Sequence, residues 1–447
     1  MTYRKHDDGR QGSERNGRAR RTGGGHDARH GAQRAARSGE APARSDGPCP
    51  VMRACGGCEL LGRPYHKQLS AKQLAMQELF APILEREGIE LDAIRGMGGQ
   101  AGSGKLPAPR GFRHKAGTPF APGPNGSIRC GFFARGTHDI IEVPDCIVEA
   151  RGARAILAGV ARAAEELGIP AYDEDACRGI LRYAVLRIGW KSDEAMLTVV
   201  TAKRDVPRLE ELGERLLRLD PRIVCVAQNV NPRRTNAVLG GETRVIAGAP
   251  VMRDQLLTCE FEISPAAFYQ VNPEQTELLY SLAIDGMGLE ANDVVLDAYC
   301  GSGTIGLCAL ASAREAGSAG VRLLGVERNA AGIADARRNA DLNGLSGAAE
   351  FVAQDATAYL LSAAERAERV DVLSIDPPRA GSTPEFLDAA AALGPRRIVY
   401  ISCNPETQAR DLEFLLKSGY RLMRLTPVDM FPHTSHVETV AVLERRP

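Results

Sequence analysis

Cysteines offer the first candidate chemistry in this chain, because three of its 11 cysteines stand close together near residue 50. Cys49, Cys55 and Cys58 are separated by five and two residues. Thiolates at such spacing are ligands that zinc ions and iron–sulfur clusters prefer. A fourth thiolate must come from elsewhere, and Cys130 and Cys146 are the candidates in the same half of the chain. The spacing therefore predicts a metal site and leaves the identity of the metal open.

A further cysteine has the surroundings of a nucleophile. Cys403 directly follows the apolar run 398–401 and precedes a predicted helix over 407–417, whose N-terminal dipole would favour the thiolate. Glu438 stands next to a second apolar run, 440–443. Partial burial there would raise its pKa towards the range that a general base needs. The sequence thus predicts a nucleophile and a base.

A glycine-rich turn over residues 297–304 follows a predicted strand and opens a predicted helix, which is typical of a ligand-binding turn. Glu327 ends the next strand, 26 residues after Gly301, where a carboxylate can accept hydrogen bonds from both hydroxyls of a ribose. The turn lacks the full dinucleotide-binding glycine pattern. This favours S-adenosylmethionine, whose methionine part needs no pyrophosphate cradle. Asp376 ends a later strand, before two prolines, and could accept from the N–H edge of a planar base.

The elements that must position these residues follow from the apolar pattern. We expect a helix over 65–87 and a loop over 93–110, and mainly strands and turns from 112 to 262. After residue 265 continuous apolar strands alternate with helices, which predicts a mostly parallel sheet covered on both faces. In such a sheet, ligands bind at the carboxyl ends of the strands. The boundary between the strand-and-turn segment and the segment of alternating strands and helices lies near residue 260.

Composition excludes two broad classes of protein. The chain is 44% hydrophobic and 25% charged, as in soluble globular proteins, so it is not disordered throughout. It contains no apolar run of about 18 residues that could span a membrane, and we expect no membrane partner. No apolar signal segment precedes the cysteines. We therefore expect a cytoplasmic protein, whose clustered cysteines serve a metal or catalysis rather than disulfides.

The net charge of zero hides an uneven distribution. Residues 1–46 carry 11 Arg and Lys against 6 Asp and Glu and almost no large apolar side chains. Such a segment cannot offset its ordering entropy, so we expect a disordered tail that either contacts RNA or has no specific role. Global charge therefore does not exclude an RNA partner, for which local basic residues suffice: Arg110, Arg113, His114 and Lys115.

Taken together, the motifs resemble the RNA (uracil-5-)-methyltransferase family, in its iron–sulfur type that modifies 23S ribosomal RNA. The matching segments follow the order of that family over about residues 49–438: 49–58, 139–146, 268–272, 297–301, 376–379, 402–405 and 431–438. This sequence departs from the family pattern in two places. The larger members of the family begin with a small β-barrel, which the residues before Cys49 cannot build, and Thr304 stands where an Asn is common.

The resemblance implies a role for each of the motifs. It implies a nucleophile at Cys403 and a base at Glu438. His433 and His436 are catalytic candidates by their residue type as well, but from the sequence we favour roles in loop structure or RNA contact. The resemblance also implies two groups of binding residues. S-adenosylmethionine would contact Gln270, Tyr299, Glu327 and Asp376. A [4Fe–4S] cluster would be bound by Cys49, Cys55, Cys58 and Cys146.

The expected fold class is α/β, with a Rossmann-like class I methyltransferase domain, a β-rich central domain that holds the iron–sulfur cluster, and the disordered tail. We assign 47–62 and 93–260 to the central domain and 63–92 and 261–447 to the methyltransferase domain. The expected substrate is 23S ribosomal RNA, and the expected state is a monomer. A tRNA uracil-5-methyltransferase is less favoured because tRNA relatives lack the cluster cysteines. A non-catalytic RNA-binding iron–sulfur protein and a cytosine-5 enzyme are two further candidates.

Overall fold

A computed structural model describes residues 49–134, 136–234 and 237–447. The predicted tail, residues 1–46, lies outside these described residues. No helix within the described part of the chain is long and apolar enough to cross a membrane.

The helices of the described residues are α1 (Met52–Cys55), α2 (Tyr65–Glu87), α3 (Ala153–Glu166), α4 (Leu209–Leu217), α5 (Pro273–Met287), α6 (Thr304–Glu315), α7 (Ala330–Leu342), α8 (Ala356–Glu365), α9 (Pro384–Leu393) and α10 (Pro405–Lys417). A short 3-10 helix spans Pro124–Gly126.

The strands of the described residues are β1 (Arg95–Gly96), β2 (Gly99–Gln100), β3 (Lys115–Pro122), β4 (Ile128–Cys130), β5 (Phe132–Phe133), β6 (Ile140–Ile141), β7 (Leu181–Ile188), β8 (Ala195–Thr201), β9 (Ile223–Val230), β10 (Glu242–Gly248), β11 (Met252–Leu256), β12 (Cys259–Ile263), β13 (Val294–Ala298), β14 (Arg322–Glu327), β15 (Ala349–Ala353), β16 (Val372–Ile375), β17 (Arg397–Ser402), β18 (Tyr420–Val428) and β19 (Glu438–Arg445).

The seven strands β13 to β19 of the C-terminal half, together with β1 and β2, form a nine-stranded sheet in the order β15-β14-β13-β16-β17-β19-β18-β1-β2. The first five strands are parallel, whereas β19 runs antiparallel to both β17 and β18. Neighbouring residues of β13 face opposite sides, so Val295 packs among α5, α6 and α7, and Leu296 packs among α2, α8, α9 and α10. Helices thus cover both faces, which explains why these strands are continuously apolar. The predicted mostly parallel sheet is confirmed.

A six-stranded sheet occupies the middle of the chain, in the order β10-β9-β8-β7-β3-β4. One face of it packs against α3 and α4 around a separate apolar core that includes Leu157, Leu186 and Leu212. The strand-and-turn pattern expected from 112 to 262 is therefore present. The division of the chain into a central domain and a methyltransferase domain stays a prediction.

The loop predicted over 93–110 is wrong in part, because β1 and β2 lie within it. Arg95 of β1 pairs with Val428 of β18 and so extends the nine-stranded sheet. A Cβ atom at Gly96 would lie 2.7 Å from Leu69 Cδ1 and 2.8 Å from Tyr65 Oη, so only glycine allows this strand to approach α2. Glycine in a sequence usually indicates a loop, whereas here it permits close packing.

Helix α2 matches the predicted helix over 65–87. It begins after Pro64 and ends at Gly88, whose φ of 67° closes the last turn. The side chains of Leu69 and Phe80 are fully buried against the nine-stranded sheet. The helix therefore links the segment of the clustered cysteines, which immediately precedes it, to the C-terminal sheet.

Candidate active site

The carboxyl ends of the parallel strands bring the predicted site residues to one edge of the nine-stranded sheet. Asp297 lies in β13, Glu327 ends β14, and Asp376 and Cys403 directly follow β16 and β17. Because these strands are hydrogen-bonded neighbours, residues far apart in the chain meet at a single edge. Glu438 reaches the same edge from the opposite direction, since it is the first residue of the antiparallel β19.

Cys403 and Glu438 are neighbours across two strands. The last residue pair between β17 and β19 is Ser402 with Thr439, so Cys403 and Glu438 hold the next position outward. Glu438 is only 3% exposed, whereas Cys403 is half-buried and lines a cavity of about 410 Å³. Arg379 and His436 also line this cavity. Cys403 therefore lines the cavity directly, whereas the Glu438 carboxyl group is buried at the adjacent strand end.

The electrostatic environment changes the acidity of this pair. Burial, and then the carboxylate of Asp376, raise the pKa of Glu438 to about 8, although the Arg379 guanidinium acts in the opposite direction. Burial also raises the pKa of Asp376 to about 7. For Cys403, burial and the carboxylates of Glu438 and Asp376 raise the thiol pKa against the opposing effect of Arg379. Glu438 thus has the elevated pKa predicted for a general base.

The expectation that a helix terminus would make Cys403 a thiolate is not met. Helix α10 begins at Pro405, two residues beyond the thiol, and the side chain of Asn404 caps it by accepting from Glu406 N. Burial and two neighbouring carboxylates raise the pKa of Cys403 instead. The surroundings of Cys403 in this structure therefore favour the neutral thiol over the thiolate.

The side chain of His433 supports the loop interpretation made from the sequence. His433 is fully buried, and its Nε2 lies 2.9 Å from the carbonyl oxygen of Pro109. Burial lowers its pKa below the ordinary histidine value, and Nε2 donates to this carbonyl oxygen. His436 is exposed, and its contact with RNA stays a prediction.

The glycine turn provides the backbone of a ligand site. Gly301 and Gly303 have φ values of 56° and 80°, which other residues rarely adopt. Asp297, buried beneath the turn, accepts from Gly306 N at 3.1 Å through Oδ2, while its Oδ1 has no hydrogen-bond partner among the described residues. Burial raises the pKa of Asp297 to about 7. A Cβ atom at Gly301 would meet no other atom within 4 Å, so a polar ligand such as S-adenosylmethionine has room to approach the backbone there.

The other predicted cofactor residues surround this turn. Tyr299 has a φ of 67°, and its ring centroid lies 5.4 Å from that of Phe386. One oxygen of Glu327 accepts from Asn329 N at 2.7 Å, which orients the carboxylate at the end of β14. The side chain of Thr304, which replaces the common Asn, lies 2.8 Å from the hydroxyl of Tyr280. The hydroxyl of Thr304 thus serves at least partly to join α6 to α5.

Gln270 lies outside the sheet, in the segment between β12 and α5. The preceding residues include Phe268, which is 68% exposed. The next residue, Val271, accepts at its carbonyl oxygen from His114 N at 2.7 Å. Asn272 then caps α5 and donates through Nδ2 to Met430 O at 3.0 Å. The segment of Gln270 is therefore tied to the chain just before Glu438.

The four predicted cluster ligands are half-buried free thiols. Burial, followed by the charges of Cys146, Cys55 and Cys49, raises the pKa of Cys58 to about 12, so these three thiols act electrostatically on Cys58. Among the described residues, however, no three Cys, His, Asp or Glu side chains are arranged as a metal site. The four thiols fit an iron–sulfur cluster by their chemistry, whereas their present arrangement is not a ligand shell.

Only part of the predicted basic surface is exposed to solvent. Arg110 is exposed, whereas Arg113, His114 and Lys115 are half-buried. Lys115 stands directly opposite Arg187 in the β3–β7 pair. Burial and the charges of Arg187 and Arg113 lower the pKa of Lys115 to about 8. Arg187 is a residue that sequence reasoning missed, because its position opposite Lys115 depends on strand register.

The chain is similar to several known RNA methyltransferases. Residues 252–446 match the family model described as tRNA (Uracil-5-)-methyltransferase. An RNA methyltransferase of Bacillus cereus is 36% identical over 406 residues, which cover 91% of this chain and 84% of the relative. One from Halalkalibacterium halodurans is 38% identical over 403 residues, or 90% of this chain and 84% of the relative.

A similar solved structure is that of the tRNA (uracil-54, C5)-methyltransferase of Pyrococcus abyssi in complex with S-adenosyl-L-homocysteine. It is 27% identical, with a TM-score of 0.66, and the match covers 88% of this chain and 86% of that one. The matches therefore include both the sheet edge and the segments that surround it.

Proposed function

Because the chain belongs to the family of S-adenosylmethionine-dependent RNA methyltransferases described as tRNA (uracil-5-)-methyltransferases, we propose that it methylates carbon-5 of a specific uridine in 23S ribosomal RNA. One observation carries the chemical part of this proposal. Cys403 and Glu438 lie side by side, next to a cavity of about 410 Å³, at the sheet edge that also bears the glycine turn. A thiol and a carboxyl group so placed suit covalent activation of a pyrimidine.

The chemistry assigns a distinct task to each residue. Carbon-5 of uracil is too weak a nucleophile to attack a methyl sulfonium. The Cys403 thiolate adds to carbon-6 and forms an S–C bond, and the electron pair displaced from the double bond makes carbon-5 an enolate carbon. S-adenosylmethionine, when bound, would supply the electrophilic methyl group to carbon-5 and leave as S-adenosylhomocysteine. Glu438 then removes the carbon-5 proton, the double bond re-forms, and the S–C bond to Cys403 breaks.

The cofactor would be held at the glycine turn. We propose contacts from Gln270, Tyr299, Glu327 and Asp376, with the Glu327 carboxylate accepting from the ribose hydroxyls. Asp376 would contact the cofactor, the uracil N3–H or both. Contact with N3–H would favour uracil over cytosine, which lacks that proton. The target base must leave its stack to expose both faces, as in other enzymes that modify bases.

A tRNA substrate is the second candidate, because the solved relative from Pyrococcus abyssi is a tRNA methyltransferase. Methyl-labelled cofactor, offered with either unmodified 23S ribosomal RNA or unmodified tRNA, distinguishes the two. We expect 5-methyluridine at one position of the 23S RNA, located by mass mapping, and none in tRNA. Replacing that uridine by cytidine is the control and should remove the product. Methylation of tRNA alone would establish the second candidate. Absence of both methylation and cofactor binding would favour a non-catalytic RNA-binding protein.

We also propose that Cys49, Cys55, Cys58 and Cys146 bind a [4Fe–4S] cluster with a structural role. Protein purified anaerobically should then contain about four iron atoms per chain. Cys58→Ser should lose most of the iron, whereas Cys130→Ser, a half-buried cysteine outside the set, should keep it. Anaerobic chelation of the iron should lower the melting temperature. Iron-free protein with an unchanged melting curve would contradict the structural role.

A further inference from the structure

The nine residues before Glu438 form a mostly buried connection that we call the Glu438 loop, residues 429–437, between β18 and β19. Its first residue, Asp429, is fully buried. The Asp429 carboxylate forms an ion pair with Lys72 of α2, with Nζ 2.5 Å from Oδ1 and both side chains almost inaccessible to solvent. The hydroxyl of Tyr65 donates to the other oxygen of Asp429 at 2.8 Å. The start of the loop is thus anchored to α2.

Lys72 also contacts the rest of the Glu438 loop. Its ammonium group donates to the carbonyl oxygen of Phe431 at 3.2 Å and to that of His436 at 2.8 Å. His436 lies two residues before Glu438. One ammonium group therefore joins the beginning, the middle and the end of the loop, and this limits the positions that Glu438 can adopt.

Gln68, one turn earlier on α2, holds the middle of the loop. Its side-chain oxygen accepts from His433 N at 3.0 Å, and its Nε2 lies 3.2 Å from His433 Nδ1. The same Nε2 lies 2.8 Å from the carbonyl oxygen of Arg63. Tyr65, Gln68 and Lys72 follow the i, i+3, i+7 spacing that places side chains on one helix face, and all three face the Glu438 loop.

This buried polar face is difficult to explain by stability alone. A buried ion pair such as Lys72–Asp429 repays its desolvation only in part, and apolar side chains of similar volume are often as stable. Such a pair does fix geometry, because its hydrogen bonds are directional. The polar residues of α2 thus restrict the conformation of the Glu438 loop more than apolar side chains in the same positions would.

We propose that Lys72 and Gln68 are positioning residues that hold Glu438 beside the Cys403 cavity. The proposal rests on the proposed role of Glu438 as the base that removes the carbon-5 proton. Looser placement of Glu438 should slow that step most, because Cys403 and the glycine turn follow β17 and β13 and do not belong to the Glu438 loop. A displacement of about 1 Å can reduce such a rate on the order of 100-fold.

The double variant Lys72→Met/Asp429→Asn tests this proposal, because it removes both charges and leaves neither unpaired. Single-turnover reactions should show covalent RNA adduct forming at nearly the wild-type rate and decaying on the order of 100-fold more slowly. Binding of S-adenosylmethionine should be unchanged. Gln68→Met, which keeps the ion pair, should show the same accumulation of adduct with a smaller delay.

Arg182→Met/Glu174→Gln is the matched control, because it removes a largely buried ion pair, 3% and 14% exposed, between Arg182 of β7 and Glu174 of the preceding turn. It should release product at the wild-type rate. Wild-type decay of the adduct in the Lys72 double variant would overturn the proposal, and so would an equal slowing of formation and decay. If the wild-type protein forms no adduct at all, the proposed function fails rather than the positioning role.

Discussion

Replacing Cys403 by alanine is expected to abolish methylation and to remove the covalent RNA adduct. Without the thiolate, carbon-5 stays too weakly nucleophilic to accept the methyl group, so we expect the rate to fall on the order of 10⁴-fold or more. The adduct is best observed with RNA that carries 5-fluorouridine, because a base cannot remove fluorine from carbon-5 as it removes a proton. A band that survives denaturing electrophoresis should form with the wild-type protein and be absent with Cys403→Ala.

Cys177→Ala is the control for this experiment, because Cys177 is also a half-buried free cysteine but lies in the turn before β7. It should methylate and form adduct as the wild type does. Cys403→Ala should still bind S-adenosylmethionine, which shows that the fold and the glycine turn are intact. Full activity of Cys403→Ala, or an adduct formed by it, would exclude the covalent mechanism.

Glu438→Gln is expected to form the adduct but to release it slowly. The amide has nearly the same shape as the carboxyl group and cannot accept the carbon-5 proton, so elimination should slow by about 10² to 10⁴-fold. Methylated RNA bound to Cys403 should then accumulate when the variant is mixed with substrate and cofactor. Labelled methyl groups in the protein–RNA band measure this directly.

The pH dependence of release tests the same role for Glu438. Burial and Asp376 raise its pKa to about 8, and only the deprotonated form accepts a proton. The rate of release should therefore rise as the pH increases through about 8 and level off above it, and Glu438→Gln should lose this inflection. The rate of adduct formation must be measured separately. The pKa of the Cys403 thiol is also raised, so attack becomes faster as a higher pH deprotonates this thiol.

Glu406→Gln provides a control at the same cavity, since Glu406 lines it but is exposed. This variant should release product with the wild-type pH profile. Release by Glu438→Gln at the wild-type rate would show that another group removes the proton. A wild-type release rate that does not change between about pH 6 and about pH 9 would contradict the assignment of Glu438 as well.

Much of the site could be predicted because its residues stand at the ends of apolar strands. The parallel strands that end near Glu327, Asp376 and Cys403 are recognisable from continuous apolar runs, and parallel strands end at the same edge of a sheet. The helix α2 also follows from its own residues. Glu438 is assigned partly through resemblance to the family. A single carboxylate next to an apolar run does not by itself distinguish a general base from a solvent-facing residue at the edge of a strand.

The sequence by itself determined which residues reach the sheet edge, since strand ends and glycine turns depend on neighbouring residues. Only the tertiary structure decided what surrounds them. The Lys72–Asp429 pair joins residues 357 positions apart, and β1 joins the sheet through its pairing with β18. The raised pKa of Cys403, opposite to the effect expected from its helix, likewise comes from burial and from carboxylates on β19 and after β16. Such effects depend on desolvation and on distances through space, and these exist only once the chain has packed.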